Sequence, residues 1–246
     1  MILANVLQPL IDLAEVVILF FHDDVGLSWG LSIVALTFVT RLVILPLSIS
    51  QIRSMRALQA YAPEIKAIQE RYKNDRERQQ RELIQFYQEN KINPFASCIP
   101  LLLQLPVFLS LFYLLRSDSF TQDVLNNPPV GFLFIDNLTE SPTGVPLILL
   151  IALFIVTQIG AGLVMASRAD RNQRIIMFAL PLVFAPFVAS FPAGLAVYWI
   201  TTNIWTLGQQ AVVMRFFPPP EHSAPEQVKA VKAPPPPPRK KKRRRR

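Results

Sequence analysis

The chain has 246 residues, of which 51% are hydrophobic and 17% charged, with a formal net charge of +8. The apolar residues fall in long blocks, which excludes an ordinary soluble domain. Cys98 is the single cysteine, which excludes an intramolecular disulfide.

The first segment is 1–26. Leu7, Leu10, Ile11, Ala14, Ile18 and Phe21 follow helical spacing, while Gln8, Asp12 and Glu15 share the opposite face. This predicts an amphipathic helix lying on the outer membrane surface, with an extra span as the alternative. A cleavable signal peptide is not expected, because no basic region precedes the apolar run and no small-residue cleavage site follows it.

A membrane-spanning helix needs about 20 mostly apolar residues. Five such blocks follow: 27–47, 96–115, 145–166, 175–191 and 193–214. The last two are separated only by "SFPAG", a Pro and a Gly that read as a tight turn. One unbroken helix there would be about 60 Å long, twice the hydrocarbon thickness. The predicted fold is an all-α integral membrane protein with five transmembrane helices.

Charge placement orients it. No Lys or Arg precedes Arg41, whereas nine lie between spans one and two. Only Arg116 lies between spans two and three; Arg168, Arg171 and Arg174 follow span three, and eleven basic residues follow span five. The alternation predicts an outside N-terminus and a cytoplasmic C-terminus.

Segment 48–95 is too long for a simple loop. Pro63 suits a first helical turn; Ile65, Ile68 and Tyr72, then Leu83, Ile84, Phe86 and Tyr87, give two amphipathic runs broken at "KNDRE". Asn93-Pro94 stops the second. The reading is a cytoplasmic helical hairpin, either a solvated salt-bridged structure or an arm that meets incoming chains or headgroups. Cys98, just beyond it, is a small apolar filler, with acylation as the lesser reading.

The tail, 216–246, has no apolar periodicity and is read as a disordered, Pro-rich, polybasic cytoplasmic segment. It ends in Arg239, Lys240, Lys241, Lys242, Arg243, Arg244, Arg245 and Arg246. Such a run suits polyphosphate, so ribosomal RNA and anionic lipid headgroups are both candidate partners.

The spans carry a specific anomaly. In "LTFVTRLVILPL", Arg41 places a permanent cation in an apolar run. It lies about 10 Å from the cytoplasmic interface, so it could serve as a snorkelling anchor. Yet Thr37, Thr40, Arg41 and Ser48 share a helix face. Gln104, Gln158, Tyr198, Thr202 and Trp205 supply polar positions in the other spans. Scattered polar residues can simply pack helices together, but several stripes with a charge suggest a shared wet cavity. Thr37, Thr40, Arg41, Gln104, Gln158, Tyr198, Thr202 and Trp205 are therefore the candidate groove residues.

None of the five spans contains Asp or Glu. Arg41 thus has no acidic partner within them, and a cation-coupled transporter would ordinarily need an intramembrane carboxylate. His22 and His222 fall on opposite sides of the membrane, and no Ser-His-Asp set, phosphate loop or metal-ligand cluster is present. The expectation is a protein without covalent chemistry, metal or cofactor. An anion channel and a ribosome-recruiting scaffold stand as rival classes.

The residues also carry a resemblance. "VTRLVILPL", "MRALQAYAPEIKAIQERY", "FYQENKINPFASCIPLLLQLPVFLSLFYLL" and "FPAGLAVYWITTNIWTLGQQ" occur in that order, and the chain resembles the YidC family of membrane protein insertases over Leu27 to Arg215. The resemblance implies insertion of small membrane proteins and assistance to the folding of others, alone or with the Sec translocon. It implies a hydrophilic groove open to cytoplasm and lipid and closed outside, with Arg41 in it and Gln158 and Trp205 at groove-facing positions. It implies nascent membrane proteins as clients, ribosomes as partners of the basic tail, and a multi-pass location in the bacterial cell membrane. The short, Gram-positive-type form is expected, without the periplasmic domain, additional span or lipid-modified cysteine of other members.

Overall fold

The computed structural model describes residues 2–90, 99–166 and 171–216. All regular elements among them are helical. Helix α1, Ile2–Leu19, runs on through one π turn, Phe20–Asp24. Gly26, at φ +79°, turns the chain with its N–H bonded to the His22 carbonyl, a conformation other residues rarely adopt. Helix α2 follows as Trp29–Ala60, and α3 and α4 are Ala62–Arg71 and Arg76–Glu89. Helix α5 is Ile99–Leu115 and α6 is Asp118–Asn126. Helices α7, α8 and α9 are Gly144–Ala166, Arg171–Val188 and Ala193–Phe216.

Among the described residues, three helical stretches suffice by length and composition to cross a membrane: Asn5–Asp24, Trp29–Ile52 and Gly144–Leu163. One of them, Asn5–Asp24, is the segment whose polar stripe suggested a surface helix. Its Ile11 and Ile18 are buried where α1 packs along α5 and α2. Val6, Leu10, Leu13, Val16 and Phe20 are exposed. The helix is thus apolar on two faces, with Gln8 and Asp12, joined at 2.7 Å, on the remainder.

Helix α2 has 32 residues, about 48 Å at the helical rise, well beyond a hydrocarbon core of about 30 Å. It passes through Pro46 and the expected boundary at Leu47 and ends at Ala60. Segment 48–60 is therefore a polar extension of α2, because it carries good helix formers and no Gly or further Pro. The hairpin proper is α3 and α4. Pro63 sits in the first turn of α3, and Asp75 caps α4 by accepting from the Arg78 N–H at 3.0 Å. The Tyr61 and Phe86 rings meet at 5.6 Å, and Gln79 Nε2 donates to the Gln69 carbonyl at 2.6 Å. Asn93 and Pro94 lie outside the described residues, as do Cys98 and the tail from 217 on.

Helix α9 is the hub, packing on α2, α5 and α7, while α8 packs on α7. Asn203 Nδ2 in α9 donates to Thr157 Oγ1 in α7 at 3.2 Å. The buried apolar cluster is lopsided. It takes Trp29, Ile33 and Leu36 from the start of α2, and Leu111, Leu114 and Leu115 from the end of α5. Leu150 and Phe154 come from the start of α7, and Ala193 to Tyr198 from the start of α9. All these segments lie at one end of the bundle.

Segment 117–143 closes that end. Its carbonyls at Glu140 and Leu138 accept the Ala193 and Gly194 N–H groups at 2.8 Å each, satisfying donors that the start of α9 leaves free. Asn127 accepts from Trp29 Nε1 at 2.8 Å, and the Trp29 ring lies between His22 and Phe120. The Phe132 ring fills the space beside Gly30 so closely that a Cβ there would fall 2.1 Å from it.

Three substitutions test this packing through thermal unfolding in detergent. Gly30→Ala is expected to lower stability by about 1–3 kcal/mol through overpacking. Gly208→Ala, where a Cβ meets nothing within 4 Å, is expected to leave it unchanged or raise it by up to about 1 kcal/mol. Asn203→Ala, which breaks the α7–α9 bond, is expected to cost about 0.5–1.5 kcal/mol, the range of interhelical hydrogen bonds in membranes.

Candidate functional site

The site begins where the apolar cluster stops. Arg41 sits five residues beyond Leu36 on α2, about 7.5 Å further along the axis. Its Nη2 donates to Gln104 Oε1 of α5 at 3.0 Å. Gln104 Nε2 in turn donates to the Tyr198 hydroxyl of α9 at 2.5 Å. One chain of side chains thus joins three helices. Tyr198 is fully buried and belongs to the apolar cluster, whereas Arg41 and Gln104 are half-buried.

Among the described residues no carboxylate completes this arrangement. Among the described residues the ion pairs are Arg78–Glu82 and Arg81–Glu77, both on α4. The guanidinium carries five N–H donors and cannot be deprotonated in a protein. Among the described residues, Gln104 takes up only part of this capacity.

The other half of the bundle shares this unmet polarity. Gln158 Oε1 in α7, Gln51 Nε2 in α2, and Thr202 Oγ1 and Gln210 Oε1 in α9 are buried without a hydrogen-bond partner. The Thr202 hydroxyl lies near that of Tyr198 but makes no bond of acceptable geometry. Four such atoms on three packed helices are what a dry core avoids and a hydrated cavity accommodates. All four lie beyond the apolar cluster along their helices.

The structure brings together Arg41, Gln104 and Tyr198 of the expected set, with Thr202 beside them. Trp205 lies against α2 through the Phe38 ring, 5.2 Å away, and its Nε1 donates to Gln209 at 2.9 Å. Gln158 is half-buried on α7 and makes no bond to the Arg41 chain. Thr37 is fully buried with its hydroxyl donating to the Ile33 carbonyl at 2.8 Å, so it faces packing rather than open space. Thr40 donates to the Thr37 carbonyl at 2.9 Å and is half-buried. Arg239 to Arg246 lie outside the described residues.

Sequence reasoning missed Gln51 and Gln210. The signal was available: Gln51 stands three residues after Ser48, and Gln210 seven after Asn203, so each extends a polar face already visible. Among the described residues, no three His, Cys, Asp or Glu side chains gather where a metal ion could bind.

Comparison with known proteins places the chain in a family. Residues 20–220 match the model of the family described as 60Kd inner membrane protein. A membrane protein insertase YidC of Streptomyces avermitilis is 34% identical over 233 residues, covering 80% of this chain and 54% of that protein. A protein of the same name from Francisella tularensis subsp. novicida is 34% identical over 197 residues, covering 80% of this chain and 34% of its own length. The chain therefore spans between a third and about half of the length of these relatives. A solved structure titled "Active YidC insertase crystal structure with the first transmembrane domain resolved" superposes with a TM-score of 0.63 at 26% identity, over 85% of this chain and 46% of that one. With the family model matching most of its length, and with helices apolar enough to cross a membrane, the chain belongs to the 60Kd inner membrane protein family, that of the YidC insertases.

Proposed function

We propose that this protein inserts small membrane proteins into a bacterial cell membrane and assists the folding of others, by lowering the barrier to moving a polar chain end across hydrocarbon. The observation that carries this reading is Arg41, a permanent cation beyond the packed half of the bundle whose bonded partner is a neutral amide. Around it the unpartnered atoms of Gln51, Gln158, Thr202 and Gln210 support a hydrated groove. The same proposal takes α2, α5, α7, α8 and α9 as the five spans, with the sealed end outside and the groove open to cytoplasm and lipid.

The physics is differential solvation. An Asp at the centre of a membrane helix costs about 2.5–3.5 kcal/mol on insertion scales. A wet groove shortens the dry path that such a group must cross. Arg41 attracts the acidic tail; the client's apolar segment then partitions into lipid, and that transfer supplies the driving force. The basic run 239–246 and the α3–α4 hairpin would hold a ribosome or anionic lipid near the groove mouth, and the Sec translocon is a further partner. No step needs a nucleotide or a covalent intermediate.

Purified protein in liposomes tests this with single-span clients that have acidic or neutral N-terminal tails, scored by protease protection. Arg41→Ala is expected to reduce insertion of the acidic-tailed client about tenfold, the equivalent of about 1.4 kcal/mol of barrier, and to spare the neutral one. Arg41→Lys, which keeps the charge and loses the planar fork, is expected to retain part of the activity. Equal loss for both clients would assign Arg41 a structural role. Deleting 239–246 is expected to leave this ribosome-free insertion intact; its complete loss would favour a recruiting scaffold.

A further inference from the structure

A glutamine is an unusual companion for a guanidinium in an apolar setting. Buried arginines are ordinarily neutralised by a carboxylate that accepts two N–H bonds side by side. Here Gln104 Oε1 accepts one N–H from Arg41 at 3.0 Å and brings no charge. The orientation of the amide follows from chemistry. Arginine cannot accept, so the oxygen must face it, and the amide nitrogen is left to donate to Tyr198. Tyr198 is 2% exposed and belongs to the apolar cluster, so the relay ends in close-packed surroundings. The two bonds also cross helix boundaries, from α2 to α5 and from α5 to α9.

We infer that Gln104 and Tyr198 form an uncharged tether that fixes the direction of the Arg41 guanidinium while leaving its full charge available to an arriving carboxylate. Gln104 and Tyr198 are positioning residues, acting through Arg41. They set specificity for acidic stretches of polypeptide. This rests on the insertase reading above and adds to it the identity of the groups that prepare the arginine. An acid in the place of Gln104 would hold Arg41 as firmly but would spend its charge internally. The amide thus achieves orientation without neutralisation, and a non-polar residue would achieve neither orientation nor neutralisation.

The near-isosteric change Gln104→Glu separates these effects. The full chain in liposomes is presented with three single-span clients that differ only in an acidic, neutral or basic tail, at low and high salt. Gln104→Glu is expected to reduce insertion of the acidic-tailed client about tenfold, matching the loss of an available cation, with the neutral client within about twofold of wild type. It is also expected to flatten the salt dependence of the acidic client. Tyr198→Phe, which preserves the packed ring, keeps the charge but frees the amide. It is expected to reduce insertion of the acidic client about threefold and to retain its salt dependence. Wild-type insertion of acidic tails by Gln104→Glu would overturn the inference. So would an equal fall for all three clients in both variants, which marks a purely structural relay. If wild-type protein inserts none of the clients, the insertase reading itself fails, and the inference with it.

Discussion

A guanidinium that cannot lose its proton stands on an apolar stretch of α2, and no described carboxylate reaches it. The rest of the architecture answers to that constraint. Desolvating an unpaired cation costs several kcal/mol or more, so the bundle cannot close around Arg41 as a dry core. The proposed groove answers this by letting water reach the charge, and a path for water would also serve a polar chain. The neutral relay through Gln104 and Tyr198 adds direction to this charge without cancelling it.

Stability then has to come from elsewhere, and it comes from one end. Trp29, Ile33 and Leu36, Leu111 to Leu115, Leu150, Phe154 and the first turns of α9 form a single apolar cluster. Segment 117–143 laces it shut through Gly30, Trp29 and the free donors of α9. Beyond it, polar atoms of Gln51, Gln158, Thr202 and Gln210 stand without partners. A bundle packed at one end and polar within the other has the asymmetry that insertion from one side needs. Exposed apolar side chains such as Leu42, Val43, Val156 and Ile204 cover the outer faces and suit lipid rather than water.

Much of this was legible in the sequence because the strong signals were local. The apolar blocks, the missing acids, Arg41 and the SFPAG turn all depend on a few adjacent residues. The four-residue spacing of Tyr198 and Thr202 puts both on one face of α9, though only the structure joins Arg41 to Gln104 rather than to Gln158. The continuation of α2 to Ala60 was not legible, because polarity marks where a membrane stops, not where a helix does. Segment 117–143 could not be read, since its role lies in backbone carbonyls that accept from donors up to 98 positions away, the Trp29 indole among them, which leave no periodicity. Thr37 shared the polar face but turned its hydroxyl onto its own helix, an option every buried Thr has and no spacing rule reveals. For α1, the polar stripe of Gln8, Asp12 and Glu15 suggests a surface helix, and spacing alone does not show that Ile11 and Ile18 pack it against α5.

The central claim is that water from one side reaches the level of Arg41. Single cysteines at Thr40 and Gln158, in a Cys98→Ser background, can be probed with a membrane-impermeant thiol reagent in vesicles of each orientation. Val43, the exposed neighbour on the lipid side of α2, serves as control. The account predicts labelling at positions 40 and 158 from the cytoplasmic face alone, with position 43 silent. Silence at positions 40 and 158 from both faces, or labelling from the sealed outer face, would contradict it.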